Sequence, residues 1–326
     1  MPRPAYQRRI QIRSLNIDNK NYMKIIKYKK IFISISLVLS LAAIASITYF
    51  GFRPGIDFKG GSAIEVVWNQ VPRPESDQIN EIFTTIPDSP EILVQPMGTN
   101  GYVLKMREVN PQERETITNL INNKYPGMEV ASYTSIGPSV GKELLRKSII
   151  SIILVSLGIV LFIAFSFRKV SYPVKSWKYG VVAIGTLFHD VLIPTGVFVF
   201  LAHRYNVEVD TLFVVSILTI LGLSVSDTIV VFDRIRENLR MDKIGSFADT
   251  VGKSINEVYQ RSIMTALTVI LALIALAVWG PDSTRLLAIM LTAGMFFGTY
   301  SSIFLASPIL VVWQEYTDRN KNLKKA

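Results

Sequence analysis

Cysteine is absent from the 326-residue chain, which excludes disulfide bonds, thiol nucleophiles and Cys-rich metal sites. Histidine is almost as scarce, with two in all. The dipeptide His189-Asp190 therefore lacks the companion histidines of a metal-dependent phosphohydrolase signature. No P-loop, dinucleotide-binding glycine loop or nucleophile elbow is present, so nucleotide hydrolysis is unsupported. The expectation is a protein that is not an enzyme and holds no resident cofactor.

Hydrophobicity is what the chain has in quantity: 49% of its residues are hydrophobic. Apolar runs at 31–50, 148–167, 179–201, 209–232, about 255–279 and 286–313 reach or approach the roughly 20 residues needed to cross a bilayer. The formal net charge is +10, but the bases flank these runs. Arg8, Arg9, Arg13, Lys24, Lys27, Lys29 and Lys30 precede the first, Arg168, Lys169, Lys175 and Lys178 follow the second, and Arg319, Lys321, Lys324 and Lys325 close the chain. This is the positive-inside pattern of a multi-pass protein, so nucleic acid is not an expected partner. Six spans with both termini cytoplasmic satisfy every loop and leave 51–147 outside. Ala43-Ile44-Ala45 has the small-residue look of a signal-peptidase site. The run at 31–50 exceeds the usual apolar core of about 7–15 residues, however, and is read as a retained span.

The polar island, 51–147, has its own pattern. Residues 62–68 place Ile64, Val66 and Trp68 on one side with Glu65 opposite, a period-2 strand. Residues 75–86 carry Ile79, Ile82, Phe83 and Ile86 at helical spacing. Strands at 91–97 and 101–108 meet at a Gly98/Asn100/Gly101 turn. Asn110, Pro111 and Glu113 supply an N-cap, a proline at N1 and an acid at N3 for a helix through Ile117, Leu120 and Ile121. A last strand spans 128–136. The order β-α-β-β-α-β is the ferredoxin-like, split-βαβ arrangement. The expected fold class is thus a six-span α-helical membrane protein with a ferredoxin-like α+β periplasmic domain between spans one and two. Its parts are a basic cytoplasmic segment (1–30), the first span (31–50), the domain (51–147), spans two to six (148–313) and a basic cytoplasmic tail (314–326).

Ionisable residues within the apolar runs carry the chemistry. An ionised Asp at the centre of a transmembrane helix costs about 2.5–3.5 kcal/mol on insertion scales, so it usually faces a partner or water. Asp227 sits in TILGLSVSDTIVVFDRIREN (219–238), after the small residues Gly222, Ser224 and Ser226 that admit a close helix. At about 1.5 Å per residue it lies roughly 7–8 Å inside a boundary at Phe232, and Arg261 on the antiparallel fifth span roughly 9 Å inside. Asp227 and Arg261 are thus placed to pair, with Thr265 one turn on from Arg261. Asp190 and His189 lie mid-span in 179–201. Together these are parts of an ion or proton relay; a buried pair that fixes helix register is the alternative. Asp233, Arg234 and Arg236 read as an interfacial cytoplasmic cluster within a pair of short amphipathic helices, 233–260. Gly294, Gly298, Ser301 and Ser302 read as a helix-packing face.

Several stretches resemble the bacterial SecD/SecF family of the RND superfamily. GIDFKGG (55–61), with Gly55, Asp57, Gly60 and Gly61, is similar to its GIDFxGG motif, and IGPSVG (136–141) to the signature before the second span. His189-Asp190 matches the HD of span three, DTIVVFDRIREN (227–238) the span-four motif, and YSSIFLASP (300–308) the last span. Six spans and one external domain fit the SecF branch. The resemblance implies a subunit of the accessory protein-export complex in the bacterial inner membrane, paired with SecD and associated with the SecYEG channel. YajC, YidC and the translocating preprotein are its further implied partners. It also implies use of an ion gradient, H⁺ or Na⁺, through Asp227, Arg261 and Thr265. Two motifs depart from the family: GYSxND is GLSVSD here, with Leu223 and Ser226 replacing Tyr and Asn, and RT is Arg261-Ser262. The alternatives are a small-molecule RND exporter and a non-transporting scaffold subunit.

Overall fold

The computed structural model describes residues 25–69, 72–84, 92–167, 174–241 and 246–323. Arg8, Arg9, Arg13, Lys24, Arg168, Lys169, Lys324 and Lys325, with Ile86 and Glu91, lie outside the described residues, as does the Lys321 side chain.

Helix α1 (Lys29–Phe50) is apolar nearly all round and exposes most of its surface, as a lipid-facing helix does. A one-turn helix, α2 (Ile56–Lys59), then leads into an α/β unit of β1 (Gly61–Trp68), α3 (Ser76–Thr84), β2 (Leu93–Met97), β3 (Gly101–Met106), α4 (Pro111–Lys124) and β4 (Met128–Ile136). The sheet order is β2-β3-β1-β4, all antiparallel, with Ile64 opposite both Leu104 and Tyr133. Ile64, Val66 and Trp68 are fully buried and meet Ile79, Ile82 and Phe83 of α3 and Ile117 and Ile121 of α4 on one face. The period-2 pattern of β1 and the helical spacing of α3 therefore serve one core. The capping box at α4 is complete: the Glu113 N–H donates to Asn110 Oδ1 at 2.8 Å and the Asn110 N–H to Glu113 Oε2 at 3.1 Å.

The remaining long helices are α5 (Pro138–Phe167), α6 (Ser176–Tyr205), α7 (Thr211–Met241) and α8 (Phe247–Trp279). A last composite helix comprises α9 (Asp282–Ser301), a π-helical turn at Ser302–Ala306 and α10 (Ser307–Leu323). Among the described residues they make, with α1, six helices long and apolar enough to cross a membrane. Helices α6, α7 and the composite form the buried centre, while α1, α5 and α8 are largely exposed. Phe167, Tyr179 and Phe232 knit α5, α6 and α7 together, the first two rings stacked at 5.6 Å. Lys178 is not a free flanking base: it is buried, and its Nζ donates to Thr317 at 2.8 Å and Gln314 at 3.2 Å.

The helices extend beyond the apolar runs. Segment 233–260 is not a pair of short helices; its described residues continue α7 to Met241 and open α8 at Phe247. Polar contacts hold these extensions together. Arg234 donates to Glu257 at 2.6 Å, and Asn238 to Ser254 at 3.0 Å and Glu257 at 2.7 Å. Helix α5 likewise begins at Pro138 rather than 148.

Polar contacts join the α/β unit to one end of the bundle. The Asp57 carboxylate accepts from the Thr211 N–H at 2.9 Å and its hydroxyl at 2.7 Å, capping α7. The Gly55 N–H donates to the Val209 carbonyl at 2.8 Å, and Gln95 to the Asn206 carbonyl at 2.6 Å. The Gly98 N–H, in the β2–β3 turn, donates to the Asp282 carboxylate at the start of α9. Gly60, at φ +82°, lies against Pro138 so closely that a Cβ would stand 2.7 Å from its Cα. Gly60 and α2 thus seat the start of α5, where a Cβ on Gly141 would stand 2.8 Å from the Gly60 nitrogen.

Candidate functional site

Inside the bundle a polar cluster is assembled from α6, α7 and α9. Asp190 is 0% exposed and its neighbour His189 5%. The His189 Nδ1 lies 2.8 Å from Asp190 Oδ1, while Oδ2 accepts from the hydroxyls of Ser224 at 2.5 Å and Ser301 at 2.6 Å. One further turn along α7, half-buried Asp227 accepts from the Thr299 hydroxyl at 2.8 Å. Thr299 and Ser301 are two residues apart, roughly 200° around a helix. A single span therefore presents one hydroxyl to a carboxylate on α6 and another to one on α7. His189 Nε2 is buried without a hydrogen-bond partner among the described residues.

Close helix approach makes this geometry possible. A Cβ on Gly294 would stand 2.3 Å from Ile220, and one on Gly298 would stand 3.3 Å from Ser224. The packing role expected of these glycines is visible here. Ser301, assigned to the same packing face, instead supplies a hydrogen bond to Asp190.

The expected Asp227–Arg261 pair does not form: among the described residues no ion pair within 4.0 Å joins them. Arg261 is near enough to act on Asp227 electrostatically. However, α8 turns Ser262 and Ala266 toward the bundle and leaves Arg261 and Thr265 exposed. Helix rise fixes depth but not the direction in which a side chain points. Gly222, Leu223 and Ser226 are also exposed, so the Leu223 and Ser226 departures lie on the outer side of α7, whereas Ser262, the departure on α8, is buried.

Asp233 pairs with Arg236, and Arg234 with Glu237 and Glu257, on the extensions of α7 and α8 away from the carboxylates. At the opposite end Asp210 Oδ1 accepts from the Phe213 N–H at 3.0 Å. Among the described residues no group of three or more His, Asp or Glu could hold a metal ion. Sequence reasoning overlooked the functional reading of Ser224, Thr299 and Ser301. No sequence signal set them apart, because a hydroxyl in an apolar helix commonly donates to its own helix, as Thr186 does to the Val182 carbonyl at 3.0 Å and Ser216 to the Leu212 carbonyl at 2.9 Å.

The pattern defining "Protein export membrane protein SecD/SecF, C-terminal" matches residues 116–316. Protein translocase subunit SecF of Thermobaculum terrenum is 37% identical over 89% of this chain and 93% of its own length. SecF of Sebaldella termitidis is 33% identical over 93% and 96%. Protein translocase subunit SecDF of Bacillus subtilis is 30% identical over 91% of this chain and 38% of its own length. The crystal structure of SecDF from Thermus thermophilus, titled a translocon-associated membrane protein, superposes with a TM-score of 0.77 at 29% identity. That match covers 90% of this chain and 38% of the solved one. A single pattern over most of the six-helix part, with relatives matched nearly end to end, settles the family: this chain belongs to the SecD/SecF protein-export membrane proteins.

Proposed function

We propose that this chain is the SecF-type subunit of an accessory protein-export complex and couples an ion gradient, H⁺ or Na⁺, to preprotein movement through a SecYEG-type channel. The α/β unit is its ferredoxin-like extracytoplasmic domain. Both termini face the cytoplasm, and the polypeptide performs no enzymatic reaction. A SecD-type chain is its partner; the SecDF relatives carry both halves in one polypeptide, of which this chain spans 38%.

The observation that carries this reading is the placement of Asp190 and Asp227 within the bundle, each held by a hydroxyl of the same span. In hydrocarbon such carboxylates mark ion pathways. Protonation or cation occupancy at Asp227 would change its bond to Thr299 and its attraction to Arg261. An ion biases only those states to which it binds unequally, so Asp227 must meet different surroundings in the two conformations.

The test is export into vesicles carrying this chain, its partner and the channel, with an H⁺ or Na⁺ gradient imposed alone. Asp227→Asn is expected to abolish gradient-stimulated export with assembly intact, and the effective gradient names the ion. Unchanged stimulation would remove Asp227 from the mechanism. Loss of assembly would favour a scaffold role, to which Asp190 lends support because both its oxygens have partners inside the protein.

A further inference from the structure

The sixth span touches both the carboxylates and the α/β unit. Helix α9 begins at Asp282, which accepts the Gly98 N–H of the β2–β3 turn and pairs with Arg285 at 2.6 Å. It ends at Thr299 and Ser301, bonded to Asp227 and Asp190. Directly after Ser301 the helix widens into the π turn Ser302–Ala306, across which Ser307 Oγ donates to the Ser302 carbonyl at 3.2 Å. Single π turns inside α-helices occur frequently at functional sites, and each carries one residue more than the α-helical path. Relaxing the turn to α would rotate the helix on one side of it by about 100° relative to the other. Because Thr299 and Ser301 hold carboxylates on two different helices, α9 cannot turn and keep both bonds.

We propose that this span is the route by which the state of the carboxylates reaches the α/β unit. Thr299 and Ser301 are positioning residues, the π turn Ser302–Ala306 is the pivot, and Asp282 is the grip on the β2–β3 turn. The inference rests on the ion-driven reading and deepens it. The other polar and close contacts of the unit fall on the start of α5 and on the α6–α7 junction: Gly60 on Pro138, Gln95 on the Asn206 carbonyl, Gly55 on Val209 and Asp57 on Thr211. A rotation of α9 against α7 therefore tips the unit about that held edge.

The experiment uses the full complex in vesicles, with Thr99→Cys and Ser283→Cys introduced beside the Gly98–Asp282 contact. The chain has no cysteine of its own, so an intramolecular disulfide reports this junction alone. Imposing the gradient is expected to change the cross-linking rate about fivefold, the lower end of coupling between distant sites. Thr299→Val with Ser301→Ala should abolish both that response and stimulated export, whereas Thr299→Ser should retain both. A gradient response that persists in the double variant overturns the proposal. So does stimulated export in a chain whose junction never responds. If the double variant fails to assemble, Asp282→Ala decides: lost stimulation with assembly intact supports the grip, and full stimulation overturns it. Should the gradient stimulate no export even in the unaltered chain, the ion-driven reading fails, and this inference with it.

Discussion

Both oxygens of Asp190 have partners: Oδ1 lies against His189, and Oδ2 holds two hydroxyls. Removing one donor from a buried carboxylate costs about 1–3 kcal/mol. Ser224→Ala should therefore lower the thermal midpoint of the purified protein clearly, while exposed Ser226→Ala should stay within about 0.5 kcal/mol of the parent. Equal midpoints for the two variants would mean that the Ser224 bond contributes nothing. Asp190, His189 and Asp227 could be picked out of the sequence because ionisable groups are anomalous inside apolar runs. Their hydroxyl partners could not, since Ser224, Thr299 and Ser301 look like any small residue until the helices pack. Arg261 illustrates a further limit: the face it occupies depends on which side of α8 the bundle takes.

At the level of the element, sequence was most informative where local rules decide the outcome. The box at Asn110 and Glu113 is a short-range signature, and β4 occupies 128–136 as read. Hydrogen bonds from Arg107 and from the Asn110 N–H hold the Glu113 carboxyl below its ordinary range. The contribution of this box is therefore fully present above the ordinary carboxylate pKa and is lost as pH falls through the lower, folded value. Hydrogen exchange across 111–124 should accelerate in that acid range beyond its intrinsic pH dependence, and Glu113→Gln should flatten the effect. Asp57→Ala should fray the first turn of α7, with a loss of about 1 kcal/mol in amide protection at 211–213; unchanged protection would show that water caps this end equally well. Gly60→Ala combines a disfavoured positive φ with a contact against Pro138 backbone. It should destabilise the junction by more than about 1 kcal/mol, seen as lower expression and a lower midpoint. Helix lengths were less legible. Hydropathy stops where charge begins, whereas α7 and α8 continue because Arg234, Asn238, Ser254 and Glu257 satisfy one another across them.

At the level of the molecule, six helices form a bundle with a well-filled centre and an outer side that carries Arg261 and Thr265. An arginine facing hydrocarbon is costly, so this side is where a second, similar bundle should lie. A photoreactive residue at Thr265 is expected to cross-link a SecD-type partner, and one at exposed Leu157 on α5 is not; the reverse pattern would place the partner elsewhere. The six long apolar helices and the β-α-β-β-α-β order of the small unit were readable from periodicity. The seat between them was not, because it depends on backbone contacts made by the glycines of two distant motifs. That seat has an architectural consequence. Gly61 and Ile136 are paired neighbours in the sheet, so the chain leaves α2 and returns to α5 at almost one point. The α/β unit is a cassette whose two ends already touch. It can be cut out and the gap closed with a short turn, leaving the order of the membrane helices unbroken, and another fold can be set into the same socket.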